Sequence, residues 1–133
     1  MSFDEELKKE VRSFFRTEWD VSNTKSIPKS EDIGLGNKAK KSELTMLYAD
    51  MAESTNLVDN YQPLYAAEIY KSFLYVCCKI IRRNGGDLVS FDGDRVMGAF
   101  IGDSKNSIAA KTALNIKWAI KDIVQAEHDE FYK

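Results

Sequence analysis

The chain has 133 residues and a formal net charge of −2, enough for one domain with one core and without the basic footprint that binding to a nucleic-acid backbone requires. No stretch is long and apolar enough to span a membrane, and Met1-Ser2-Phe3-Asp4-Glu5-Glu6 is acidic where a secretory signal is basic and then apolar, so a cytoplasmic location is expected. The single histidine, His128, falls in a polar tail, and Cys77 and Cys78 are adjacent inside a helical pattern. These argue against His-based zinc sites and a Ser-His-Asp triad, and the cysteines read as reduced core or near-core thiols. Chemistry in this chain falls to carboxylates and a cation.

From Ser2 to Trp19, the residues Phe3, Leu7, Val11, Phe14, Phe15 and Trp19 recur at three- and four-residue spacing with charges between them, which predicts an amphipathic helix. Its apolar face needs a partner, either the domain's own core or a second subunit. Between Asp20 and Ser42 the chain turns polar, with Pro28, Gly34, Gly36 and the cluster Lys38, Lys40, Lys41, and it has no period. This reads as a connecting loop with its lysines on a solvated rim. The expected organisation is a helix and loop over 1–43 and a folded domain over 44–133.

Leu44 to Ala49 reads as a central strand ending in Asp50, and Glu53-Ser54-Thr55 suits a helix start whose backbone N–H groups can face an anion. A helix is expected from about Pro63 to Arg83, with Ala66, Ile69, Tyr70, Phe73, Cys77, Ile80 and Ile81 on one face and Gly85-Gly86 ending it. Tyr61, Tyr65, Tyr70 and Tyr75 read as packing and rim residues. A hairpin follows, Asp87 to Phe91 and Asp94 to Ile101 around an Asp92-Gly93 turn, where Asp92 is explained by its tolerance of the left-handed conformation. From Asn106 to about Gln125 a last helix carries Ile108, Ala109, Ala113, Ile116, Ala119, Ile120 and Ile123, with Trp118 off the stripe. The fold class is α+β, a sandwich with helices on one sheet face.

A strand that ends in a carboxylate presents it to a site, because an unpaired buried charge is expensive. Two such residues, Asp50 and Asp94, suggest a bound cation; a helix cap for Asp50 and a turn residue for Asp94 are the alternatives. The segments Tyr48-Ala49-Asp50-Met51-Ala52-Glu53-Ser54-Thr55 and Gly85-Gly86 through Gly93-Asp94-Arg95-Val96-Met97-Gly98-Ala99-Phe100 together resemble the catalytic domain of class III nucleotide cyclases over residues 44 to 120. Ala67-Glu68-Ile69-Tyr70-Lys71 and Phe100-Ile101-Gly102-Asp103-Ser104-Lys105-Asn106 extend the likeness to the pyrimidine cyclases of bacterial Pycsar antiphage systems.

The resemblance implies a ferredoxin-like, palm-type sandwich in which Asp50 and Asp94 each bind two divalent ions, Mg²⁺ or Mn²⁺, with the Met51 carbonyl as a further ligand. The ribose 3′-hydroxyl would attack the α-phosphorus and release pyrophosphate. Backbone amides of Ala52, Glu53, Ser54 and Thr55 would hold the outer phosphates. The substrate would be UTP or CTP, the product cyclic UMP or cyclic CMP, and a separate effector would respond to that product. A homodimer with shared sites is also implied, to which the Phe3–Trp19 helix would contribute. Two features depart from the family. Ser90 stands where adenylate cyclases place Lys and guanylate cyclases Glu, which leaves Tyr48, Ser90, Phe91 and Arg95 as candidates for base or phosphate contact. Arg95 has a plainer alternative, pairing with a surface acid. The family also continues into strands carrying an Asn and an Arg that nothing after Gln125 supplies, so the expectation is either a partial domain or a chain that keeps metal binding but does not turn over alone.

The rivals are an adenylate or guanylate cyclase that reads its base through another residue, and a non-catalytic nucleotide-binding or dimerisation module. A diguanylate cyclase is discounted, because Gly85-Gly86-Asp87 lies between helix and strand and not in the hairpin turn.

Overall fold

The computed structural model describes every residue from Met1 to Lys133, and the chain divides into two compact units, Met1–Glu43 and Leu44–Lys133. In the first unit, helix α1 (Phe3–Arg16) opens with a capping box: the Glu5 amide donates to the Ser2 hydroxyl and the Ser2 amide to the Glu5 carboxylate. The helix stops at Arg16, short of the expected Trp19, because Thr17 turns extended. Asn37 closes that end, its side-chain amide donating to the carbonyls of Phe14 and Thr17 at 3.1 and 2.9 Å. No residue of α1 is buried, and Phe3, Leu7, Val11 and Phe14 are exposed.

The polar stretch after α1 is not only a loop. Strand β1 (Asp20–Asn23) pairs in parallel with β2 (Lys38–Lys41), and a 3₁₀ turn (Ser30–Asp32) lies between them. Four residues per strand, almost all exposed, leave no alternation to read from the sequence. Lys38, Lys40 and Lys41 are exposed.

The second unit is built on a three-stranded antiparallel sheet in the order β3 (Thr45–Asp50), β5 (Arg95–Phe100), β4 (Asp87–Asp92). The middle place belongs to β5 and not to β3, which pairs on one side only. Helix α2 (Ser54–Asn60) leads into α3 (Pro63–Arg83), which has the expected bounds. Proline at its first turn costs no hydrogen bond, and Gly85 after it takes φ 86°, a left-handed value that suits glycine. The last helix runs further than Gln125: α4 (Lys105–Ala119) passes through a π segment (Ile120–Val124) into α5 (Gln125–Phe131). His128 therefore lies on a helix and not in a tail. It is partly buried, with Tyr65 Oη 2.7 Å from Nε2 and Asp129 Oδ1 2.9 Å from Nδ1.

The core joins Phe73, Cys77 and Ile81 of α3 to Val96 and Phe100 of β5 and to Ala109 and Ile116 of α4. Two glycines set how closely α3 lies on the sheet. A methyl at Gly98 would stand 2.9 Å from Ile81, and one at Gly86 would stand 2.7 Å from Phe100. Thr112 is the buried polar side chain: its hydroxyl donates to the Ile108 carbonyl at 2.7 Å and accepts from Asn84 at 2.8 Å, which joins α4 to the end of α3. Both cysteines are free.

Gly98→Ala should destabilise the second unit by about 1–3 kcal/mol through overpacking, read as a fall in the urea midpoint. Gly93→Ala, with nothing within 4 Å of the added methyl, should leave that midpoint nearly unchanged. Burial, and then the neighbouring Cys78, push the Cys77 thiol from 9.0 up to about 12. The folded chain thus keeps a proton that the unfolded chain releases. This contribution to stability is full below pH 9 and declines as pH rises toward 12. Cys77→Ala should flatten that decline in urea titrations at successive pH values.

Candidate active site at the ends of β3 and the hairpin

The register of the sheet places the acidic residues. Asp50, the last residue of β3, pairs with Arg95, the first of β5. The hairpin turn is Gly93-Asp94, one residue later than expected, with Asp92 still on β4 and paired with Arg95. Asp92 is not left-handed; Glu53 is the only non-glycine residue with positive φ, at 58°. Asp94 is thus a turn residue, and its carbonyl accepts from the Met51 amide at 2.8 Å, which ties the hairpin tip to the end of β3.

Past Asp50 the chain reverses through Met51-Ala52-Glu53, and the left-handed Glu53 directs it into α2. Ser54, the first residue of α2, donates its hydroxyl to Asp94 Oδ2 at 2.8 Å. Its carbonyl accepts from Tyr70 Oη at 2.8 Å, so α3 holds the start of α2 in place. Asp50, Ala52, Glu53 and Thr55 are exposed, and Met51, Ser54 and Asp94 are half-buried. The sequence reading treats Tyr70 as a packing residue and so misses this role; nothing in its helical spacing marks its hydroxyl.

The base-contact candidates separate by face. Period-2 alternation puts Ala49, Leu47, Val96 and Gly98 toward the helices, since Val96 is buried and Gly98 abuts Ile81. Asp50, Tyr48, Arg95 and Met97 lie on the other face. Ser90 pairs with Met97 and joins them there, whereas Phe91 pairs with Val96 and faces the helices. Phe91 instead lines a groove of about 910 Å³ with Tyr70, Leu74 and Cys78 of α3. The structure therefore brings Tyr48, Ser90 and Arg95 together and leaves Phe91 out. Arg95 has taken its plainer alternative: its Nε donates to Asp92 Oδ2 at 3.1 Å, and its guanidinium sits 5.8 Å from the centre of the Tyr48 ring. That hydrogen bond, and then Tyr48, push its pKa up.

Asp50 also borders a cavity of about 630 Å³ lined by Tyr48, Met51, Ile116, Lys117 and Lys121. The two lysines are one helical turn apart on the last helix, which was the available signal for them. No three His, Cys, Asp or Glu side chains cluster anywhere in the chain. A cation at this end of the sheet would therefore rely on Asp50 and Asp94 together with main-chain and ligand oxygens, a donor set suited to hard ions such as Mg²⁺ or Mn²⁺.

No family model matches the chain. Curated relatives do: a protein named uridylate cyclase from Xanthomonas perforans is 41% identical over 133 residues, and one of the same name from Burkholderia cepacia is 42% identical over 127. The alignments take in 99% and 94% of this chain but 58% and 56% of those proteins, so the chain spans a little over half the length of the relatives it matches. Among solved structures, the adenylyl cyclase CyaB from P. aeruginosa superposes with a TM-score of 0.59 at 22% identity, over 65% of this chain and 47% of that one. The guanylyl cyclase Cya2 superposes with a TM-score of 0.55 at 17% identity, over 62% and 44%. At these identities the superpositions establish the fold.

Tyr70→Phe should remove the bond to Ser54 at a cost of roughly 0.5–1.5 kcal/mol. Hydrogen exchange should show the effect as faster exchange of the α2 amides, with β5 amides unchanged; equal acceleration in both would mean that Tyr70 acts on the whole unit.

Proposed function

On the premise that this chain belongs with the class III nucleotide cyclases, we propose that it forms the Asp-bearing part of a pyrimidine nucleotide cyclase, which converts UTP or CTP to the 3′,5′-cyclic monophosphate and pyrophosphate. The observation that carries this reading is the combination of homology to proteins named uridylate cyclase along nearly the whole chain with two carboxylates brought to one end of the sheet, Asp94 fixed there by Met51 and Ser54.

In this reading Asp50 and Asp94 hold two divalent ions, Mg²⁺ or Mn²⁺, with the Met51 carbonyl as a further ligand. The ions, when bound, supply acidification of the ribose 3′-hydroxyl and neutralisation of the triphosphate. The residues of this chain do the rest. The backbone amides of Ala52, Glu53, Ser54 and Thr55 would meet the outer phosphates, a role supported by the Tyr70 and Asp94 bonds that fix Ser54 at the start of α2. Tyr48 and Ser90 face the base from one side of the sheet. Ser90 can donate or accept but carries no charge, which suits a base distinguished by its amide or amine edge. Arg95, held by Asp92, lies beside Asp50 in the next row toward the acidic end.

The chain would work as a homodimer with sites shared between copies, a reading supported by the exposed apolar face of α1. Its setting would be the cytoplasm, where nucleoside triphosphates are found, and its product would switch on a separate effector in antiphage defence, as the resemblance to the Pycsar cyclases implies.

Incubation of the complete native protein with Mn²⁺ and each of ATP, GTP, CTP and UTP, followed by mass analysis, tests the reading. Cyclic UMP or cyclic CMP is the expected product; cyclic AMP or cyclic GMP would overturn the base assignment, and no product from any would overturn the activity. Asp50→Asn and Asp94→Asn should each lower turnover roughly 10³-fold, the equivalent of several kcal/mol of charge stabilisation, with the circular dichroism spectrum unchanged.

A further inference from the structure

The sheet register carries an inference about Met97, a residue outside the motif-based site. Met97 is the direct partner of Tyr48 on one side and of Ser90 on the other, so the three form one cross-strand row on the face away from the helices. β5 lies between β3 and β4, which separates the Tyr48 and Ser90 backbones by two inter-strand spacings, roughly 9–10 Å. A base contacted by both side chains has to lie across the strand between them, and the side chain that strand presents is Met97. We propose that Met97 is a specificity-determining residue that forms the floor of the base subsite and packs its thioether against the ring face. This rests on the nucleotide reading given above.

The neighbouring rows limit the alternatives. Toward the Asp50 end the next row holds Asp50, Arg95 and Asp92, all polar, with the Arg95 guanidinium over the Tyr48 ring. The row on the other side holds Met46, Ala99 and Asp87, and its central residue, Ala99, is 1% exposed, so β5 presents no side chain there to meet a ligand. Met97 is half-buried, so part of it faces out while the rest is fixed by its neighbours. An unbranched, polarisable side chain conforms to a flat ring and favours contact with an aromatic face. Its length also sets how deep a ring can sit between Tyr48 and Ser90. Shortening it deepens the subsite and admits a larger base.

The test uses Met97→Ala and Met97→Leu beside the unaltered protein, with Mn²⁺-dependent binding of UTP, CTP, ATP, GTP and inorganic tripolyphosphate measured by calorimetry. Tripolyphosphate has no base and reports the metal and phosphate contacts alone. Met97→Ala should lower the ratio of pyrimidine to purine affinity about tenfold, the equivalent of losing one side chain's packing on the ring, with tripolyphosphate affinity unchanged. Met97→Leu, of similar volume, should keep the ratio. An unchanged ratio in Met97→Ala, or an equal loss for tripolyphosphate, would overturn the proposal. If the unaltered protein binds tripolyphosphate but does not distinguish bases, Met97 sets no specificity and the proposal fails while the metal site stands. If it binds none of them, the nucleotide reading fails and takes the proposal with it.

Discussion

Everything at the acidic end of the second unit depends on how closely α3 can approach the sheet. Ile81 lies against Gly98 with no room for a methyl group between them, and Gly86 makes the same allowance for Phe100. That contact sets the height of α3, and the height of α3 sets where Tyr70 delivers its hydroxyl. Tyr70 holds Ser54, Ser54 holds the Asp94 carboxylate, and the Asp94 carbonyl holds Met51. A packing constraint in the core is thereby transmitted through three hydrogen bonds to two exposed or half-exposed carboxylates. None of these bonds is strong alone, at about 1 kcal/mol net each. Their value lies in allowing the turn residue and the strand end only one relative placement.

The two faces of the sheet divide the work. Val96, Phe100 and Leu88 serve the core with α3 and α4, while the opposite face carries a polar row of Asp50, Arg95 and Asp92 beside a row of Tyr48, Met97 and Ser90. The curated relatives share identity along nearly the whole chain, and the solved cyclases share its fold.

Much of the second unit could be read from the residues. The seven-residue apolar stripe of α3 and its Gly85-Gly86 stop are strong local signals, and the structure ends the helix where they do. The meeting of the Asp50 strand end with the hairpin tip was likewise readable, because a strand and a hairpin bounded by carboxylates can pair in few ways. Other features escaped because they depend on partners distant in sequence. The middle place of β5 is a matter of pairing order, and the periodicity of β3 does not encode it. The turn moved by one residue because Asp92 pairs with Arg95 across the hairpin and leaves Gly93-Asp94 as the loop. Phe91 follows Ser90 directly, yet the two lie on opposite faces, so adjacency in a motif was a poor guide to adjacency in space. β1 and β2 were missed because four exposed residues carry no burial pattern, and the role of Tyr70 because it rests on one hydroxyl.

The bond from Ser54 to Asp94 spans 40 residues of sequence, and α3 and the β4–β5 hairpin, both made of local contacts, lie between its ends. Helix and hairpin are built from local contacts at little entropic cost, but β3 can join β5 only by closing the long loop between them. The acidic pair therefore forms only where β3 has docked on the hairpin. Any ion or ligand that needs both carboxylates recognises only forms in which that docking is complete, and by mass action it stabilises the pairing of β3 with β5. Occupancy of the site and closure of the sheet are in this way linked equilibria.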